Sequence, residues 1–272
     1  MTDEAVPFHF GSTAAPLFGI LHRASPDGPT AAAAVLCPAL DAEHSRGHRA
    51  LLLLARRLAD AGRPALRFDP TGCGDSFDDE RAGILARWRD DVDRAIDEAR
   101  GLTGAAGVDL VGVRFGATLA AAAAFARDDV RSLVLWDPLE SGSAWLDQLS
   151  AAHAELAASL PAGNAVGGPG EGEVELLGFR YPRALREELA SPGARIPPPA
   201  SPSARAPRTL VVETGEESRA STLMAGLTER GVHVDHELAP GPRVWSADER
   251  AALVPAGAVR AIQTWLLQEA AG

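Results

Sequence analysis

Short apolar runs alternate with longer amphipathic stretches through the first half of the chain, the pattern of a parallel sheet covered by helices. Strands are predicted at residues 6–10, 17–22, 31–38, 64–69, 108–113 and 132–137. Between them, 48–61 (HRALLLLARRLADA) sets leucines on one side and arginines on the other, and Gly62 and Pro64 stop it. Residues 84–99 repeat apolar side chains at Ile84, Trp88, Val92 and Ile96, a spacing of four that makes one buried stripe on a helix. The alanine-rich stretch 115–127 suits a helix packed closely on a sheet.

The second half has another texture. Residues 161–173 (PAGNAVGGPGEGE) and 191–207 (SPGARIPPPASPSARAP) hold too much Pro and Gly for regular structure. They flank a small island, 174–189, that holds the chain's one tyrosine, Tyr181. Two more strands are predicted at 209–213 and 232–238, with a helix at 218–230 between them and a closing helical region at 247–269. The pattern reads as one α/β domain spanning 1–272, a mainly parallel sheet flanked by helices, interrupted by a small irregular lid at about 140–208.

Composition narrows the chemistry. At 272 residues, 46% hydrophobic and 23% charged, the chain can bury a substantial core. All 26 of its basic residues are arginine, so it has no lysine for a Schiff base, an internal pyridoxal-phosphate aldimine or a phosphate-binding P-loop. A net charge of −11 argues against a nucleic-acid partner or an anionic-membrane surface. Cys37 and Cys73 are too few for a disulfide scaffold or a cysteine-rich zinc site. Residues 1–5 lack the basic and apolar regions of a signal peptide, and the longest apolar runs, 31–37 and 117–126, fall short of the roughly 20 residues a membrane helix needs. A cytoplasmic protein without a membrane span, metal or cofactor is expected.

The most specific local feature is Gly112-Val113-Arg114-Phe115-Gly116, after an apolar strand and before the alanine-rich helix. This is the strand, turn and helix context of the G-x-S-x-G nucleophile elbow, with arginine in the serine position. Together with Cys37-Pro38, Glu43-His44-Ser45-Arg46, Phe68-Asp69-Pro70-Thr71-Gly72-Cys73-Gly74-Asp75-Ser76, Trp88 with Asp90-Asp91, Leu135-Trp136-Asp137-Pro138 and Ser141-Gly142, it makes residues 17–149 resemble the α/β-hydrolase superfamily. Within it, the chain resembles the hydrolase-like proteins associated with bacterial exosortase (PEP-CTERM) protein-sorting systems, one subgroup of which has arginine at the elbow.

The resemblance implies a Ser, acid, His order that the chain does not keep. Arg114 stays protonated and is no nucleophile. The acid has two seats, Asp137 and Glu213. The histidine is expected in the loop 240–245 (PGPRVW), which has none and carries Trp245, a ring able to fill the space of the base. His233 and His236 read as ordinary sheet residues. The superfamily's oxyanion donors map onto the backbone N–H groups of Phe115 and of Ala39 or Leu40.

Arg114 then has two readings: a structural arginine paired with Asp137 or Glu213, or an anion receptor beside a helix N-terminus, for which Ala39, Leu40, Phe115, Asp137 and Trp245 are the further candidate binding positions. Asp75 and Ser76 read as loop-capping residues, and His44 and His48, four apart, as surface or capping residues rather than half of a metal site. The expected function is a pseudo-hydrolase that binds a small anionic or acyl ligand, or a protein partner such as an active paralogue. The alternative is an active ester, thioester or amide hydrolase working through Cys73 or through a water activated by Asp137 or Glu213.

Overall fold

A computed structural model of the protein describes residues 5–24, 32–77, 84–159, 172–197, 206–243 and 254–268. Ten strands and seven helices lie among them. In chain order they are β1 (Ala5–Ser12), β2 (Ala15–His22), β3 (Ala32–Cys37), α1 (Asp41–Asp60), β4 (Ala65–Phe68), α2 (Ile84–Thr103), β5 (Gly107–Val113), α3 (Phe115–Ala126), β6 (Val130–Trp136), α4 (Gly142–Ser159), β7 (Val174–Leu176), β8 (Phe179–Tyr181), α5 (Arg183–Ala190), β9 (Arg208–Glu213), α6 (Ser221–Thr228), β10 (Val234–Leu238) and α7 (Ala256–Leu267).

Eight strands form one sheet in the order β1-β2-β4-β3-β5-β6-β9-β10. β1 and β2 pair antiparallel, β2 meets β4 antiparallel, and the remaining pairs are parallel. Every residue of β3 (AAAVLC) and β5 (GVDLVGV) is buried, as strands covered on both faces require. Two apolar layers result. One joins the sheet to α2 and α3 through Trp88, Val92, Ile96, Phe115 and Leu119, and the other joins the opposite face to α1 and α7 through Leu51, Leu54, Leu58, Ile262 and Trp265.

Two regions depart from the pattern reading. α1 begins at Asp41, seven residues before the predicted start, because Asp41 and Glu43 of the polar run DAEHSRG are themselves buried. The stretch expected to be an irregular lid carries regular structure: the 18-residue helix α4, the β7–β8 hairpin and α5 all lie between β6 and β9. α4 buries only Gly142, Trp145 and Leu149, too thin a stripe to register as periodicity. The predicted Pro- and Gly-rich loops fall mostly in 160–171 and 198–205, outside the described residues.

Candidate functional site

The elbow is built by close approach. A Cβ on Gly112 would meet the backbone of Gly116 and Ala117, and one on Gly116 would collide with the carbonyl oxygen of Pro38, so β5, α3 and the β3–α1 connection can converge only if both positions lack a side chain. Between these glycines Arg114 takes φ +56° and ψ −122°, a conformation L residues disfavour. Asp41 (φ +52°) and Asp137 (φ +42°) are also strained. Each such residue costs about 1–3 kcal/mol, and here they occupy the connections after β5, β3 and β6, where parallel sheets place their ligand sites.

Arg114 is buried, and its side chain bonds to two helices, α1 and α4. Its Nε and Nη2 both donate to Oε1 of Glu43, at 3.1 and 3.0 Å, and Nη2 also donates to Oε1 of Gln148 on α4. The other oxygen of Glu43 accepts the Trp145 indole N–H at 3.1 Å. Burial holds the Glu43 carboxyl above the ordinary range against the pull of Arg114. Trp145 stacks on Phe115, ring centroids 5.1 Å apart, while Trp88 and Tyr181 meet this pair edge-on. The Tyr181 hydroxyl in turn donates to Asp41 at 2.5 Å. A dry aromatic row thus ties α2, the elbow, α4 and β8 together.

A cleft of about 590 Å3 opens over this seat. Arg114, Asp137 and Glu213 all line it, with Arg46, Arg219 and Arg243 and the acids Glu155 and Glu217 at further points, and with apolar side chains from Leu149, Ala152 and Leu156 on α4 and Leu177 in the β7–β8 turn. Asp137 accepts from the Thr214 N–H at 2.9 Å and the Thr214 hydroxyl at 2.6 Å. Its burial nonetheless outweighs those bonds and the nearby charge of Arg114, raising its carboxyl above the usual range. Glu213 takes the opposite direction: burial opposes ionisation, but hydrogen bonds from Ser218 and the Arg219 N–H, and the imidazole of His236, bring it below the usual range.

The remaining candidates sit apart. Cys37 and Cys73 are both buried, and burial pushes the Cys37 thiol far up, so neither is an exposed thiol. His44 Nε2 lies 3.0 Å from Asp69, which also accepts the Asp75 N–H, while Ser76 donates to the Asp69 carbonyl and accepts from the Phe18 N–H. Ser76 is the loop cap the sequence suggested; for the Asx part, the acceptor is Asp69 rather than Asp75. Among the described residues no group of three His, Cys, Asp or Glu side chains is arranged to hold a metal, and no helix is long and apolar enough to cross a membrane.

No family model matches the chain, and no curated protein does. Solved structures do. Est1E from Butyrivibrio proteoclasticus with ferulic acid bound aligns with a TM-score of 0.65 at 15% identity, covering 96% of this chain and 98% of that one. Alpha/beta hydrolase domain-containing protein 10 from mouse aligns at 0.59 with 16% identity over 96% and 98% of the two chains. A thioesterase domain from the curacin biosynthetic pathway aligns at 0.57 with 16% identity over 97% and 99%. The fold is that of the α/β-hydrolases.

Arg114 lies in the tight turn between β5 and α3, Asp137 directly follows β6, and Glu213 ends β9. The structure brings these three onto one cleft but gives Arg114 a partner, Glu43, that the sequence reading did not single out in place of Asp137 or Glu213. Ala39, Leu40 and Phe115 are buried at the elbow contact, and their side chains are not among the described residues lining the cleft. Trp245 lies outside the described residues. His236, read as an ordinary sheet residue, bonds Glu213 at 3.0 Å from within β10. His233 precedes β10, three residues away and therefore on the opposite face, and pairs with Asp235 at the surface. Glu43 was legible only within the run Glu43-His44-Ser45-Arg46, and Gln148 in no motif, because nothing local announces a partner 71 residues away.

Proposed function

We propose that this α/β-hydrolase-fold protein does not carry out serine-hydrolase chemistry and binds a small acyl or anionic ligand in the elbow cleft. The observation that carries this reading is the Arg114 seat. A side chain that cannot attack a carbonyl fills the nucleophile position and is held there by a buried carboxylate, so the seat is finished rather than damaged. The rest of the cleft supports a ligand with an acyl part: Leu149, Ala152 and Leu156 of α4 supply apolar surface, and Arg46, Arg219 and Arg243 place guanidinium groups around Arg114, interspersed with the carboxylates of Glu155 and Glu217. The motif likeness to exosortase-associated hydrolase-like proteins supports a place beside an active paralogue.

The test pairs turnover with binding. Hydrolysis of p-nitrophenyl acetate, butyrate and octanoate stays at the solvent background for the wild type, Arg114→Ala, Cys73→Ala and Asp137→Asn alike, while calorimetry detects octanoate binding to the wild type. Wild-type turnover abolished by Cys73→Ala or Asp137→Asn would overturn this reading in favour of a hydrolase with an unorthodox catalytic group.

A further inference from the structure

Arg114 is oriented twice over. Its backbone is fixed by the elbow, and its Nε and one Nη2 hydrogen are committed to Glu43, whose second oxygen is itself held by Trp145. The other Nη2 hydrogen points towards the cleft, and there it meets Oε1 of Gln148. Unlike Glu43, Gln148 is exposed. It lies on α4 one turn beyond Trp145 and beside Leu149, at the junction between the polar floor and the apolar wall.

A carboxamide oxygen is the same kind of acceptor as the carbonyl oxygen of an acyl group or one oxygen of a carboxylate. Gln148 lines the cleft on the same helix as Leu149, Ala152 and Leu156, which also line it. We propose that Gln148 is a built-in competitor and specificity-determining residue of the acyl cleft: its side-chain oxygen holds the Arg114 Nη2 donor until an acyl or carboxylate oxygen takes its place. This rests on the acyl-binding reading above and names the atom through which that ligand is held. Exchange of one acceptor for another leaves no buried donor unsatisfied, whereas an empty Arg114 donor would carry a desolvation penalty. The displaced Gln148 amide passes to water, where its own hydrogen bonds are restored.

The test is octanoate binding by calorimetry to the full chain, wild type beside Gln148→Ala, Gln148→Leu and Gln148→Glu. Gln148→Ala binds about five- to tenfold more tightly, the gain from removing a competing hydrogen bond of ordinary strength. Gln148→Leu, which keeps the bulk and removes the acceptor, also binds more tightly and so separates competition from space. Gln148→Glu supplies a charged competitor that holds the guanidinium more strongly, and octanoate binding falls at least tenfold. Wild-type binding left unchanged or weakened by both Ala and Leu would overturn the competitor role while leaving the acyl cleft standing. Absence of octanoate binding in the wild type and in Gln148→Ala alike would overturn both.

Discussion

Two carboxylates line the same cleft and are stabilised in opposite ways. Glu43, at the centre, binds partners far off in sequence: Arg114 at the elbow and Trp145 on α4, 71 and 102 residues away. Glu213, at the end of β9, takes Ser218, the Arg219 N–H and the Ala220 N–H, five to seven residues ahead, and His236 from the neighbouring edge strand. Burial dominates at Glu43 and raises its carboxyl; hydrogen bonds dominate at Glu213 and lower it. The centre is therefore a tertiary assembly that stands or falls as a unit, and the edge is a local turn capped by an acid.

The largest effect falls on the centre. Arg114→Ala leaves the buried Glu43 without its hydrogen-bonded cation and lowers stability by about 3–5 kcal/mol in denaturant unfolding. The double variant Arg114→Leu with Glu43→Leu recovers most of that loss, because neither charge is then left unpaired. If Arg114→Ala alone unfolds like the wild type, the central pair is not a unit.

Glu213 separates the regions by pH. Its folded carboxyl titrates below the ordinary range, so the stability it adds is present above the unfolded-state pKa and is lost as pH falls through the folded one. Between about pH 5 and pH 3 the wild type therefore loses more of its melting temperature than Glu213→Gln does. Asp69, lowered by His44 and the Asp75 N–H against its burial, contributes the same sign in both proteins and cancels in the comparison. An equal acid loss in the two proteins would show that Glu213 is not held as described. At neutral pH His236→Ala costs less than Glu213→Gln, about 1 kcal/mol or under, since the imidazole is partly exposed and Glu213 keeps its three local donors.

The central strands were legible because they are short apolar runs cut by glycine and proline, and burial of every residue of β3, β4 and β5 leaves no polar alternation to confuse the reading. α1 was read seven residues short, since its first two turns bury Asp41 and Glu43, acids whose partners Tyr181 and Arg114 are 140 and 71 residues off. α4 escaped notice because most of its side chains face outward. At the site, the elbow glycines and Arg114 stood out through local spacing, and Asp137 and Glu213 through their places after strands. Glu43 and Gln148 did not, for a reason that applies generally: partners far apart in the chain are brought together by the fold, and neither half carries a mark of the other.

The smallest effect concerns glycines in the same two regions. At the centre Gly112 and Gly116 are required, because a methyl group there meets backbone that cannot move without opening the elbow. Near the edge, Gly226 sits within α6, and a Cβ there meets nothing within 4 Å. Alanine at that position removes the extra conformational freedom of the unfolded chain without a steric cost, so Gly226→Ala raises stability by about 0.5–1 kcal/mol. Thermal unfolding of Gly226→Ala beside Gly116→Ala checks the contrast directly, with a rise in melting temperature expected for the first and a fall for the second. A fall for both would mean that α6 is packed as tightly as the elbow, and the distinction between an interlocked centre and a locally built edge would not hold.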